Sequence, residues 1–149
     1  MNEYVYIRID PEYMELADEA DGVYFPGDRA IFLKNYNKEV LLHELCHHLY
    51  NIGYRPLLEY IVDSYSYDRR DNFRYLVNRS DDVFKGYEPH TWYEEFIAYS
   101  IETEWKEHGD IVIKGYHPLL DAFIQGELII EVPSSILKDD NYKILKGHQ

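Results

Sequence analysis

Apolar and polar positions alternate with period two over Tyr4–Ile9, which predicts a strand that Asp10-Pro11 brings to an end. The period then lengthens to that of a helix over Glu12–Ala20, with Tyr13, Leu16, Ala17 and Ala20 on one face and Gly22 as a stop. Val23–Phe25, the turn residues Pro26-Gly27-Asp28 and Arg29–Leu33 read as strand, turn and strand, a hairpin. Leu41, Leu42, Leu45, Leu49 and Ile52 next recur along one arc of a helix over Lys38–Asn51. Asn37 is placed to cap that helix, Glu39 complements its dipole, and Gly53 with Pro56 ends it.

Further helices are expected over Leu57–Tyr67, Thr91–Lys106 and Pro118–Gln125. Asp68–Gly86 is polar and weakly periodic, a short helix plus loop; Ile111–Ile113 reads as a short strand or connector, and Leu128–Leu145 follows no single period. Strands gather in the N-terminal half and helices in the C-terminal half. The expectation is an α+β fold: a small mixed sheet, a helix packed on it, and a mostly helical second half.

The chain has 149 residues, enough for one domain with a proper core and no obvious linker or repeat. A net charge of −13, from 28 acidic and 15 basic residues, argues against a nucleic-acid partner. No apolar run approaches a membrane span, and Met1-Asn2-Glu3 does not open a signal segment. The single cysteine, Cys46, rules out an internal disulfide framework. Cytoplasmic residence is therefore the expectation, although export by an unconventional route would look the same. The sixteen tyrosines are expected to be packing residues with a wet hydroxyl.

Chemistry enters with His43-Glu44-Leu45-Cys46-His47, an H-E-x-x-H pattern inside the fourth element. Imidazoles four residues apart lie about 40° apart on a helix, one above the other, and can grip a single Zn²⁺. Glu44 lies just to one side, within reach of a water held by that ion. The ligand face and the leucine arc are separate, as a metal site on a packed helix requires. His48 is off the repeat and is expected to pack or hydrogen-bond locally; Cys46 is expected to be a small packing residue.

Three protein ligands and an open position are the usual catalytic arrangement. Downstream donors are His90, Glu94, Glu95, Glu102, His108 and His117. Thr91-Trp92-Tyr93-Glu94 fits a capping box, which gives Glu94 a structural task. Ile97, Ala98, Ile101 and Trp105 form an apolar stripe with Glu95 away from its centre, and Ala98 allows close helix approach. Glu95 is the choice for third ligand. Glu94 is the main rival, because an unpaired carboxylate in the apolar arc would be costly; Glu102 is expected to face solvent or to support a ligand.

The H-E-x-x-H segment, followed 48 residues after His47 by Glu95-Phe96-Ile97-Ala98, resembles the gluzincin metallopeptidases. The likeness is greatest to the catalytic domain of the anthrax lethal factor and Pro-Pro endopeptidase group, over roughly Val23 to Ile101. The resemblance implies a zincin-like fold and a zinc-dependent endopeptidase acting on a protein or peptide. It implies His43, His47 and Glu95 as zinc ligands and Glu44 as general base and proton shuttle. It also implies an oxyanion-stabilising tyrosine before the ligand Glu, for which Tyr87 is the nearest match, with His90 or Tyr93 as substitutes. Two positions depart from the family pattern: Tyr99 stands where an acidic residue is usual one turn after the ligand Glu, and Cys46 replaces a glycine. Arg29–Leu33 would be the edge strand that pairs with an extended substrate. The competing readings are an SprT-like protease with a third His ligand, and a non-catalytic zinc-binding or acidic partner-interaction protein.

Overall fold

The computed structural model describes residues 3–17, 21–65, 73 and 91–134. Strand β1 (Tyr6–Ile9) leads through helix α1 (Pro11–Leu16) to β2 (Gly22–Phe25) and β3 (Ala30–Leu33). Helices α2 (Lys38–Asn51), α3 (Arg55–Tyr65) and α4 (Trp92–His108) follow, then a 3-10 turn over Gly109–Val112 and α5 (Pro118–Gln125). This is an α+β arrangement, a three-stranded mixed sheet beside mostly helical structure. Among the described residues no helix is long and apolar enough to cross a membrane.

The sheet order is β1-β3-β2, with β1 parallel and β2 antiparallel to β3. β2 and β3 thus form the expected hairpin, but β3 is central and has no free edge. Its expected role as the substrate-pairing edge is therefore wrong, because β1 occupies the side that would have to be open. The outer edge of β1 is also occupied: Ile9 N–H donates to the Glu131 carbonyl and Glu131 N–H to that of Ile7, both at 2.9 Å. β2 is the edge with no strand on its far side among the described residues.

Period-two patterning sets the faces. Ile7, Ile9, Ile31 and Leu33 point into the core, while Phe32 packs edge-on with Tyr6, Tyr13 and Phe25 on the opposite face. β1 and β3 are shorter than the pattern suggested, while β2 is longer by Gly22. Arg29 has φ 48° and belongs to the turn rather than to β3.

Helix α2 runs through the middle of the molecule, against β2, β3, α3 and α4. Its start is capped as expected: the Asn37 side chain accepts from Glu39 N at 2.9 Å and Val40 N at 3.2 Å. At its end Tyr54 N–H reaches the Leu49 carbonyl (2.9 Å) and Gly53 N–H that of Tyr50 (3.4 Å). Gly53, at φ 102°, makes this left-handed closure possible. Leu42, Leu45 and Leu49 are fully buried, each contributing roughly 1.5–3 kcal/mol. The polar arc is buried as well: every residue from Leu41 to Leu49 is inside. The reason is α4, which covers the stripe that would otherwise face water.

The remaining elements differ in detail. α3 begins at Arg55, two residues before expectation, and Ile111–Ile113 lies in the 3-10 turn and its exit rather than in a strand. Val112 and Ile113 still join the core. α5 spans Pro118–Gln125 as expected, with His117 as its N-cap, its Nδ1 accepting from Leu119 N at 3.0 Å. The stretches expected over Asp68–Gly86 and beyond Ser134 lie outside the described residues, apart from Phe73, which packs on Tyr93 and Phe96.

Candidate metal centre

The helical spacing of α2 sets His43 above His47, and their Nε2 atoms approach to 3.3 Å. α4 supplies Glu95 from the facing helix. Its Oε1 lies 2.5 Å from His47 Nε2 and its Oε2 3.3 Å from His43 Nε2. All three residues are buried, and their ligand atoms fall within 4.8 Å of one another. The three residues chosen from the sequence as metal ligands are therefore brought together.

The outward-facing imidazole nitrogens have partners of their own. His43 Nδ1 lies 3.0 Å from Glu102 Oε1, and His47 Nδ1 lies 2.8 Å from Glu94 Oε2. A carboxylate only accepts, so each Nδ1 carries a proton, and a ring that gives up its second proton presents the Nε2 lone pair inward. Glu94 thus engages the outward nitrogen of His47 and lies outside the His43, His47 and Glu95 grouping. The expected capping box does not form, since Thr91 makes no side-chain cap bond and the Glu94 carboxylate is drawn to the imidazole instead. Glu102 takes the supporting role expected as one of its two possibilities. It stands seven residues after Glu95, two turns along the same face, and that spacing was the available signal. Tyr99, one turn after Glu95, packs edge-on against the His43 ring with centroids 4.3 Å apart.

These contacts set the local electrostatics. Burial disfavours the charged His43 ring, but Glu102 and Glu95 outweigh it and hold its pKa at about 9. Burial acts likewise on His47, and Glu94 with Glu95 raise it to about 10. Burial would push Glu95 up, yet the two imidazoles hold it at about 2. Glu44 is 8 % exposed and makes no hydrogen bond or ion pair with any described residue; burial raises its pKa above the usual carboxylate range. Cys46, 1 % exposed, is a packing residue whose thiol burial pushes well above its usual range.

Whether the donors suit an ion can be judged from their spacing. A tetrahedral ion with bonds of about 2.0–2.1 Å sets its ligand atoms about 3.3 Å apart. The Nε2–Nε2 and His43–Glu95 separations are both 3.3 Å, while the His47–Glu95 contact is closer. Glu95 Oε2 is buried and accepts no hydrogen bond from a described residue. Two imidazoles and one carboxylate aimed at a common point, with a carboxylate oxygen left unsatisfied, fit a divalent ion of borderline softness.

The remaining sequence candidates lie elsewhere. His108 is exposed and pairs with Glu104 at 3.5 Å, and His117 is buried with Nε2 3.2 Å from Glu3 Oε1. His48 behaves as expected, with Nδ1 accepting from Tyr24 OH at 2.9 Å and Nε2 donating to the Glu3 carbonyl at 3.0 Å. Tyr93 hydrogen-bonds Glu59. Tyr87 and His90 lie outside the described residues. The sequence marked Gly22 only as a helix stop, yet it presses against the centre from β2: a Cβ there would stand 2.5 Å from Val40 Cγ1 and 3.3 Å from Glu44 Cγ. A cleft of about 280 Å³ along β2 is bordered by Tyr24, Pro26, Glu44, His47, Thr91 and Glu94. No family model, curated protein or solved structure matches this chain.

Proposed function

We propose that the protein is a zinc-dependent endopeptidase with a zincin-like site, in which His43, His47 and Glu95 hold Zn²⁺ and Glu44 is the general base. The observation that carries this reading is the convergence of three ligand atoms beside a buried carboxylate that no described residue engages. A structural cluster has no need of Glu44; hydrolysis does. Zinc bound there would supply Lewis-acid chemistry, making a water acidic near neutral pH and polarising the peptide carbonyl.

The chain's own groups do the rest. Glu94 and Glu102 keep the Nδ1 protons in place and so fix both imidazoles as Nε2 donors. Glu44 takes the proton of the attacking water as the new C–O bond forms, and returns it to the amine nitrogen as the C–N bond breaks. Its raised proton affinity suits a group that must hold a proton between those two events. β2, with no strand on its far side among the described residues, borders the cleft and offers backbone groups to an extended peptide, the role first expected of β3. Tyr87 remains the proposed oxyanion donor through the resemblance to the gluzincins. The presence of Glu95 at the point where the imidazoles meet supports this reading over one with a third His ligand.

The test is Glu44→Gln in zinc-loaded protein. One equivalent of zinc should stay bound while peptide hydrolysis falls by about 10²–10⁴-fold. Equal cleavage by parent and variant, or failure of the parent to take up zinc, would refute the assignment.

A further inference from the structure

The two recesses that meet at the metal centre differ in how their carboxylates are engaged. Glu44 borders both; on the Pro26 side the other two carboxylates, Glu94 and Glu95, are taken up by imidazoles. On the other side lies a recess of about 200 Å³ whose charged groups are Asp21, Glu44 and Glu102, whose walls are Val40 and Tyr99, and which His43 closes at its inner end. Neither Asp21 nor Glu44 makes a side-chain hydrogen bond or ion pair among the described residues, and Glu44, 8 % exposed, borders the recess. Glu102 commits Oε1 to His43 and keeps its second oxygen. No described Lys or Arg lines the recess.

We propose that this recess receives the side chain of a lysine or arginine in the peptide substrate, at the residue following the scissile bond. The inference rests on the peptidase reading and names the substrate class. An apolar side chain entering there would strip water from Asp21 and Glu102, whereas a cation supplies a donor to Asp21 and to the second oxygen of Glu102 and leaves Glu44 to the attacking water. Tyr99, partly exposed on one wall, can lie along the aliphatic stem and face the charge. The net charge of −13 draws cationic peptides toward the cleft. The position follows from strand direction. β2 runs from Gly22 to Phe25, and the recess opens at its Gly22 end. Antiparallel pairing, the more stable kind, brings the C-terminal half of a substrate to that end.

The test uses the zinc-loaded full chain and peptides that differ only at the residue after the cleaved bond. Lys and Arg peptides should exceed the Leu peptide in kcat/KM by about tenfold or more, with the Glu peptide the poorest. Asp21→Asn should shrink the Lys-to-Leu ratio several-fold. A binding readout accompanies the kinetics: the Kd of a lysine-bearing peptide hydroxamate should be about tenfold lower than that of its leucine counterpart, with the gap closing at high salt. Equal or reversed Lys and Leu values in either assay would overturn the proposal. A protein that takes up zinc yet cleaves no peptide would defeat the peptidase reading instead, and the hydroxamate pair would still decide what the recess accepts.

Discussion

Loading the proposed centre with zinc at neutral pH has to expel protons, and their number follows from the arrangement of carboxylates. His43 sits at about 9 and His47 at about 10, so both rings are imidazolium at pH 7. Neither Nε2 can bind an ion until its proton leaves. Glu95, at about 2, is already ionised and releases nothing. The expected release is about two protons per zinc, a floor to which Glu44 can add if the incoming charge lowers its raised pKa. Two ordinary imidazoles with pKa near 6.5 would together release only about 0.5 proton at that pH.

The measurement is titration calorimetry in several buffers of different ionisation enthalpy, where the slope of observed enthalpy against buffer enthalpy is the proton count. The same linkage makes the apparent zinc affinity rise by about two logarithmic units per pH unit between pH 7 and about 8.5. Burial alone would make these rings poor proton acceptors; Glu102 and Glu95 at His43, and Glu94 and Glu95 at His47, reverse that. A count of about 0.5 or less, or a flat affinity above pH 7, would show that the carboxylates do not hold the imidazoles charged. Glu102→Gln, which removes the neighbour of His43 Nδ1, should reduce the count.

Without metal, the raised imidazole pKa values add stability that is complete below about pH 6.5 and lost as pH climbs through 9 to 10, so the Tm of the metal-free protein should fall across that window and zinc should abolish the fall. Glu95 gives the opposite limb: its stabilisation is present above its ordinary pKa and is lost as pH drops toward 2, to be read as an acid transition that Glu95→Gln reshapes. Glu94→Gln and Glu102→Gln should each weaken zinc binding by about 10–100-fold in a competition titration; an unchanged affinity would mean that the Nδ1 contacts do not orient the ligands. Gly22→Ala places a methyl 2.5 Å from Val40 Cγ1, an overpacking cost of about 1–3 kcal/mol in denaturant unfolding, with a fall in kcat as Glu44 is displaced.

What the sequence revealed divides along a physical line. The hairpin, the cap at Asn37, the closure at Gly53 and the pairing of His43 with His47 four residues apart are local, and each was legible. That Glu95 meets both imidazoles was expected from its place on the helix, although Glu94 and Glu102 turn to the same pair. Strand order was not, since the parallel pairing of β1 with β3 is a contact between segments that no local period encodes. The occupied far edge of β1 depends on Glu131, more than a hundred residues away in the chain. Glu94 was misread for a related reason. A threonine three residues before a glutamate satisfies the local rule for a cap, but the His47 imidazole arriving from another helix competes for the same oxygens and takes them.

The same competition explains how the cluster can be buried at all. Taken singly, six ionisable groups in an interior would each carry a large desolvation penalty. Here α4 contributes Glu94, Glu95 and Glu102, and five of the six side chains find a partner on the facing helix, each carboxylate set against an imidazole of α2. The exception is Glu44, which nothing on α4 engages. A fold selected only for stability would have paired or replaced that carboxylate, because an isolated buried charge is the most expensive member of such a set. Its retention in an otherwise matched network is the physical argument for chemistry at this site, and it ties the reading to one side chain whose removal should spare metal binding and abolish turnover.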